Sequence, residues 1–178
     1  MRKIFPRNKN DRIIKYLLQR PLTRARVSDI AREVKANKGA ASVIVKELDR
    51  AGMLHNKQAD LNNPLVRALK ILINVEEIVD SGTMTLLKSK ALSAGMYGSS
   101  VKGTNTEESD VDIWIRPRGS MDALGTSNLI RAISDLLGKE VQIAVLDKDR
   151  LEKLKKEDTN FYRSLVFGSI LLFGDDIE

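Results

Sequence analysis

Asp110 and Asp112 close a polar loop that opens on a Gly-Ser pair, Gly98-Ser99. Beyond the loop the chain alternates. Val111, Ile113 and Ile115 are apolar against Asp110, Asp112 and Trp114, which predicts a strand with one buried face. Residues two apart on a strand point the same way, with Cα atoms roughly 6–7 Å apart. The two carboxylates are therefore expected to aim at one patch of space. A glycine at 98 lets a ligand come close to the backbone, because no Cβ stands in the way. Amides just after such a turn, at a helix start, can donate to phosphate oxygens, so Gly98, Ser99 and Ser100 form a candidate phosphate site. The Ser99 hydroxyl would assist, and Lys102 adds a point charge nearby. Two carboxylates converging beside such a turn can hold Mg²⁺ against a triphosphate, which is the chemistry of nucleotidyl transfer.

Several elements must place these groups. Ala91 to Tyr97 reads as an apolar strand leading into the turn, preceded by a short helix over Thr83 to Lys90. Residues 121–137 carry Leu124, Leu129, Ile130, Ile133, Leu136 and Leu137 at helical spacing. A strand from Val141 to Asp147 follows. Residues 148–158 read as a charged surface helix, Phe161 to Gly168 as a helix end, and Ser169 to Gly174 as a last strand.

The front of the chain has another character. Residues 1–62 hold 15 Lys and Arg against six Asp and Glu, a net +9, while residues 63–178 are net −3. A basic front half is what nucleic-acid binding needs, since phosphate neutralisation supplies much of the affinity. Ile13, Ile14, Leu17 and Leu18 predict a helix over 10–20, capped by Asn10 and followed by Pro21. Val27, Ile30, Ala31 and Val34 predict a short second helix. A third is expected from Lys38 to Arg50, with Ala41, Val43, Ile44 and Leu48 inward and Gly52 at its end. Met53 to Lys57 then reads as a strand entering a polar hairpin near Gln58-Ala59-Asp60.

Asn63-Pro64 can open a helix running to about Val79. Its apolar residues cover more than one stripe, which predicts burial on most sides, between domains or in a homodimer. Asp80-Ser81-Gly82 breaks it. The chain lacks cysteine, so disulfides and Cys-based zinc sites are excluded and a cytoplasmic protein is expected. No apolar run is long enough to span a bilayer, and the basic start Met1 to Arg7 lacks a signal peptide's apolar stretch.

Two resemblances join these readings. The block Val27-Ser28-Asp29-Ile30-Ala31, with Val43 to Leu54, resembles the winged helix-turn-helix domain of bacterial and archaeal regulators. That resemblance implies a third helix entering the major groove of double-stranded DNA, with Asn37, Lys38, Ser42 and Lys46 facing it and Lys57 at the wing. The second block is an apolar strand, Gly98-Ser99, Lys102-Gly103, then Ser109-Asp110-Val111-Asp112 and another apolar strand. It resembles the nucleotidyltransferase superfamily that includes polymerase beta, and within it the minimal nucleotidyltransferases. This implies two Mg²⁺ ions on Asp110 and Asp112 with bound NTP, ATP being the expected one. It also implies a third carboxylate on a later strand. That position falls at Gln142, a neutral residue. Glu140 shares its face and could substitute as a catalytic group, whereas Asp147 lies on the opposite face by parity.

The expected whole is a two-domain α+β protein. A winged helix spans 1–62, a connector helix 63–82, and a mixed-sheet α/β nucleotidyltransferase fold 83–178. The expected function is Mg²⁺-dependent transfer of a nucleoside monophosphate to an acceptor hydroxyl, in a transcriptional regulator. Two alternatives stand beside it: a nucleotide-sensing regulator without turnover, and an antitoxin-type enzyme acting on a helical toxin partner.

Overall fold

A computed structural model describes residues 9–24 and 26–177. The basic stretch Met1 to Arg7 lies outside the described residues. The described chain packs as two compact units, one running to Ile73 together with Gly103–Glu108, the other made of Asn74–Lys102 and Ser109 onward.

The first unit holds α1 (Lys9–Gln19), α2 (Val27–Glu33), α3 (Lys38–Arg50) and a short hairpin, β1 (Leu54–His55) and β2 (Gln58–Ala59). Its core gathers Ile13, Leu17, Leu18, Ile30, Ala41, Ile44 and Leu48, the apolar stripes of the three helices. Three local expectations change. Asn10 does not cap α1, because the helix already runs at Lys9. Val43 is 54 % exposed, since the inward stripe of α3 is Ala41, Ile44 and Leu48 and Val43 lies off it. The hairpin tip falls at Asn56-Lys57, earlier than the polar composition suggested. Leu54 pairs with Ala59 and His55 with Gln58, so the two residues between them turn with φ of 52° and 66°.

Asn63 caps α4 (Pro64–Asp80), its Oδ1 accepting from the Leu65 amide at 2.8 Å. The helix is not apolar on every buried side. Leu65 is 60 % exposed, while Lys70, Asn74 and Glu76 are buried. The buried Lys70 ammonium donates to the Leu18 carbonyl at 2.7 Å, which offsets the cost of desolvating it. In the same unit Glu107 accepts from the Thr23 hydroxyl at 2.7 Å and the Leu22 amide at 3.3 Å. Burial works against its charge. The bonds from Thr23, its own amide and Leu22, with the Lys70 charge, outweigh that and hold its carboxyl below the usual value.

The second unit is a four-stranded sheet with helices on both faces. Its elements are α5 (Thr83–Lys90), β3 (Ala91–Tyr97), α6 (Ser99–Lys102), β4 (Val111–Pro117), α7 (Ala123–Leu137), β5 (Val141–Val145), α8 (Lys148–Glu157), α9 (Thr159–Gly168) and β6 (Ile170–Phe173). The strand order is β5-β4-β3-β6. β3 runs antiparallel to β4 and β6, and β4 runs parallel to β5. The parallel pair requires a crossover, and α7 is that crossover. Asp122 caps its start, accepting from the Gly125 amide at 2.7 Å.

The strand β4 has two buried faces where alternation predicted one. Val111, Ile113 and Ile115 pack with Leu129 and Ile133 of α7. Trp114 points the other way and is fully buried with Leu146, Leu154 and Leu165 beneath α8 and α9. A tryptophan on the polar side of an alternating strand marks a second covered face. Its ring lies over Gly95, its register partner on β3, and a Cβ built there would stand 2.5–2.6 Å from three ring atoms. Gly95→Ala is therefore expected to destabilise the fold by about 1–3 kcal/mol through overpacking. Urea unfolding followed by Trp114 fluorescence measures it, and an unchanged midpoint would refute the packing argument.

Candidate functional site

The site is built on the hydrogen-bonded pair β3–β4. Tyr97, the last residue of β3, pairs with Asp112 on β4, and the chain turns immediately afterwards at Gly98. Gly98 adopts φ of +75°, a left-handed conformation that L side chains rarely take. A Cβ at that position would run into the Asp112 carboxylate. The missing side chain is thus what lets the carboxylate lie against the turn.

Behind the turn, Ser99 to Lys102 form the single turn α6. Ser99 is partly buried and Lys102 is exposed. Ser100 is 3 % exposed, and its carbonyl accepts from the Asn74 side-chain amide at 2.8 Å. Ser100 therefore anchors the turn onto α4, with its side chain turned inward. Asn74 gave a sequence signal only as a polar residue inside an apolar helix.

Asp110 immediately precedes β4, and Gln142 lies beside Asp112 in the parallel register of β4 and β5. The Gln142 amide donates to Asp110 Oδ2 at 2.5 Å. Burial raises the Asp112 carboxyl above its ordinary value, and the Asp110 charge raises it further. Burial also raises the Tyr97 phenol, with Asp112 adding to the effect. The two aspartates therefore repel each other across one small space, and a cation between them would relieve that repulsion.

The donor set of Asp110 and Asp112 fits Mg²⁺ arriving on a nucleotide, because that ion binds through one or two carboxylates plus substrate phosphates. It does not supply a third carboxylate at Gln142, where an amide N–H meets Asp110. Among the described residues no group of three Asp, Glu or His side chains gathers into a metal cluster. Glu140 directly precedes β5, its carbonyl accepts from the Val111 amide at 2.9 Å, and its carboxylate is exposed. Extending the register by one residue sets Glu140 beside Asp110. Asp147 serves elsewhere, as the cap of α8, where it accepts from the Arg150 amide at 2.7 Å.

The residues expected to face DNA lie in the first unit. Lys38, Lys46 and Lys57 are exposed, and Ser42 is partly buried. Asn37 is exposed, but its Oδ1 accepts from the Ala40 amide at 3.1 Å and caps α3.

Comparison with known proteins accords with the second unit. Residues 85–171 match the model of the family described as nucleotidyltransferase domain. The chain thus carries a nucleotidyltransferase domain of the polymerase-beta-like superfamily, and that domain supports enzymatic nucleotidyltransferase activity. No curated protein matches the chain. Among solved structures, it is similar to a chain of a toxin–antitoxin complex with AMP-PNP, at 22 % identity over 57 % of this chain and 74 % of that one, with a TM-score of 0.43. It is also similar to a chain in a mutant of the toxin–antitoxin pair MntA–HpeT, at 21 % identity over 54 % and 72 % of the two chains, with a TM-score of 0.41.

The raised Asp112 value has a stability consequence. A carboxyl that folding makes harder to ionise gains stability as pH falls from neutral through its folded value, and the gain is complete below its unfolded value. Asp112→Asn removes the charge that is unfavourable at neutral pH. The variant is expected to melt above the wild type at pH 7, with the difference shrinking toward pH 4. Thermal melts at both pH values measure this, and equal melting temperatures at pH 7 would contradict it.

Proposed function

We propose that the protein transfers a nucleoside monophosphate from an NTP, with Mg²⁺, to a hydroxyl of a helical, toxin-like partner protein. The observation that carries the reading is the Asp112 carboxylate lying against the Gly98 turn, electrostatically coupled to Asp110. The turn at Gly98 and Ser99, with Lys102, receives the polyphosphate tail. Asp110 and Asp112 hold the Mg²⁺ that enters with it, and that ion supplies charge neutralisation at the reacting phosphate. The acceptor oxygen attacks the α-phosphorus in line, the bond to pyrophosphate breaks, and Glu140 takes the acceptor's proton. Support for a macromolecular acceptor comes from the open side of the site. Glu140 and Gln142 are exposed at the edge strand β5, where a second protein can present a hydroxyl.

A second reading rests on Gln142. An amide in place of the third carboxylate favours a nucleotide sensor without turnover. Labelled ATP with Mg²⁺, incubated with and without co-purified partners, separates the two. Transfer is expected in the wild type, and Asp110→Ala or Asp112→Ala should lower it on the order of a thousandfold. Gln142→Glu should raise it. ATP binding without any transfer, in wild type and Gln142→Glu alike, would leave the sensor.

We read the first unit as a winged helix-turn-helix that binds double-stranded DNA, which would make the protein a transcriptional regulator. Support comes from three short helices followed by a hairpin, and from the exposed Lys38, Lys46 and Arg50 of α3. A homodimer through residues 63–82 belongs to this reading, with the exposed Leu65 among the side chains it would cover. A gel shift with genomic fragments is expected at low salt, weakening steeply as salt rises. Lys46→Glu should weaken it at every salt concentration; no shift even at low salt would remove the DNA reading.

A further inference from the structure

Beside the Gly98 turn, on the side of α9, lies a cavity of about 450 Å³, within the size range of small-ligand sites. Tyr97, Gly98 and Lys102 form one wall. The opposite wall is one face of α9, where Phe161, Ser164 and Gly168 recur at helical spacing and Phe167 stands beside them. Tyr97 and Phe161 meet edge to face, with ring centroids 5.9 Å apart and planes at 72°, which fixes the inner end. The rest of α9 is held down by Leu165, which is fully buried in the core under β4.

Phe167 is 84 % exposed, the most exposed of the large apolar side chains among the described residues. A ring left in water at the mouth of a cavity has area to gain from a flat partner. Lys102 and Arg163, at the same walls, supply the cations that an anionic ligand needs. The cavity is continuous with the turn, for Gly98 and Lys102 belong to both. A ligand filling it is thus polyphosphate at one end and flat and aromatic at the other.

We propose that the cavity between the Gly98 turn and α9 seats the nucleobase of the NTP, stacked against the Phe167 ring. The inference rests on the nucleotide reading of the turn, and it assigns α9 a binding role that the aspartates do not require. Stacking on an aromatic side chain is tolerant of base identity, because every base has a π-face. Weak discrimination among NTPs follows.

Two variants test it without disturbing the turn. Phe167→Ala removes an exposed ring and leaves the core untouched. Gly168→Leu adds a bulky side chain at the cavity wall without backbone strain, since Gly168 lines the cavity, has no left-handed φ and a Cβ there meets nothing within 4 Å. Isothermal titration with Mg²⁺ compares ATP with inorganic tripolyphosphate, a probe that keeps the phosphates and lacks the base. The wild type is expected to bind ATP roughly tenfold or more tighter than tripolyphosphate, and both variants to lose about that factor for ATP while keeping tripolyphosphate affinity. ATP affinity unchanged in both variants would overturn the proposal and leave the turn intact. Parallel loss of ATP and tripolyphosphate would overturn it as well, showing damage to the turn. A wild type that binds neither probe would instead refute the nucleotide reading, and the base site with it.

Discussion

The site depends on a single close approach: the carboxylate of Asp112 occupies the space that a side chain at Gly98 would fill. The pairing of Tyr97 with Asp112 sets this contact, because it brings the end of β3 level with the second aspartate on β4. A slip of one residue would turn Asp112 to the opposite sheet face, and Gly98 would then face an apolar side chain. The register is strongly specified because both faces of β4 are buried. Ile113 and Ile115 fit one core, and Trp114 fits another over Gly95. Packing remote from the aspartates thus holds them to their turn.

That packing also holds the two acidic groups at different places on the strand. Asp110 lies just before the strand and Asp112 within it, where burial and the Asp110 charge raise its carboxyl. Holding a partly desolvated anion beside a second one costs stability, and the fold retains it through the hydrophobic contacts of β4. A cation bound at the pair would relieve this repulsion, so ligand binding and stability are expected to rise together.

Much of this architecture follows from simple patterns. The helices of the first unit, the break at residues 80–82 and the order of strands and helices after it are all marked by apolar spacing and by Pro or Gly. What spacing does not carry is partnership. Trp114 reads as polar-side in an alternating strand, and only the presence of α8 and α9 over it makes it core. Lys70 and Asn74 interrupt an apolar helix for reasons that lie in other segments, the Leu18 carbonyl and the Ser100 carbonyl. Val43 looks like core by residue type, yet the period of α3 turns it to solvent. The hairpin tip moved for a similar reason. Composition favoured the more polar residues, while strand pairing chose the two residues with left-handed backbone.

Gln142 is where pattern and chemistry pull apart. At its place beside Asp112 a carboxylate would add a third negative charge to a pair that already repels, at a cost that a bound cation would lower. The amide does the opposite. It donates to Asp110 and steadies that carboxylate. A site with two carboxylates and an amide carries less mutual repulsion than one with three carboxylates. Under the proposed function, such a site would take up Mg²⁺ together with the nucleotide, on Asp110 and Asp112. On that reading, nucleotide and metal would be expected to bind together, each supplying charge that the other needs. The same contact engages only one oxygen of Asp110, so the other remains open to a ligand while the amide stays in place.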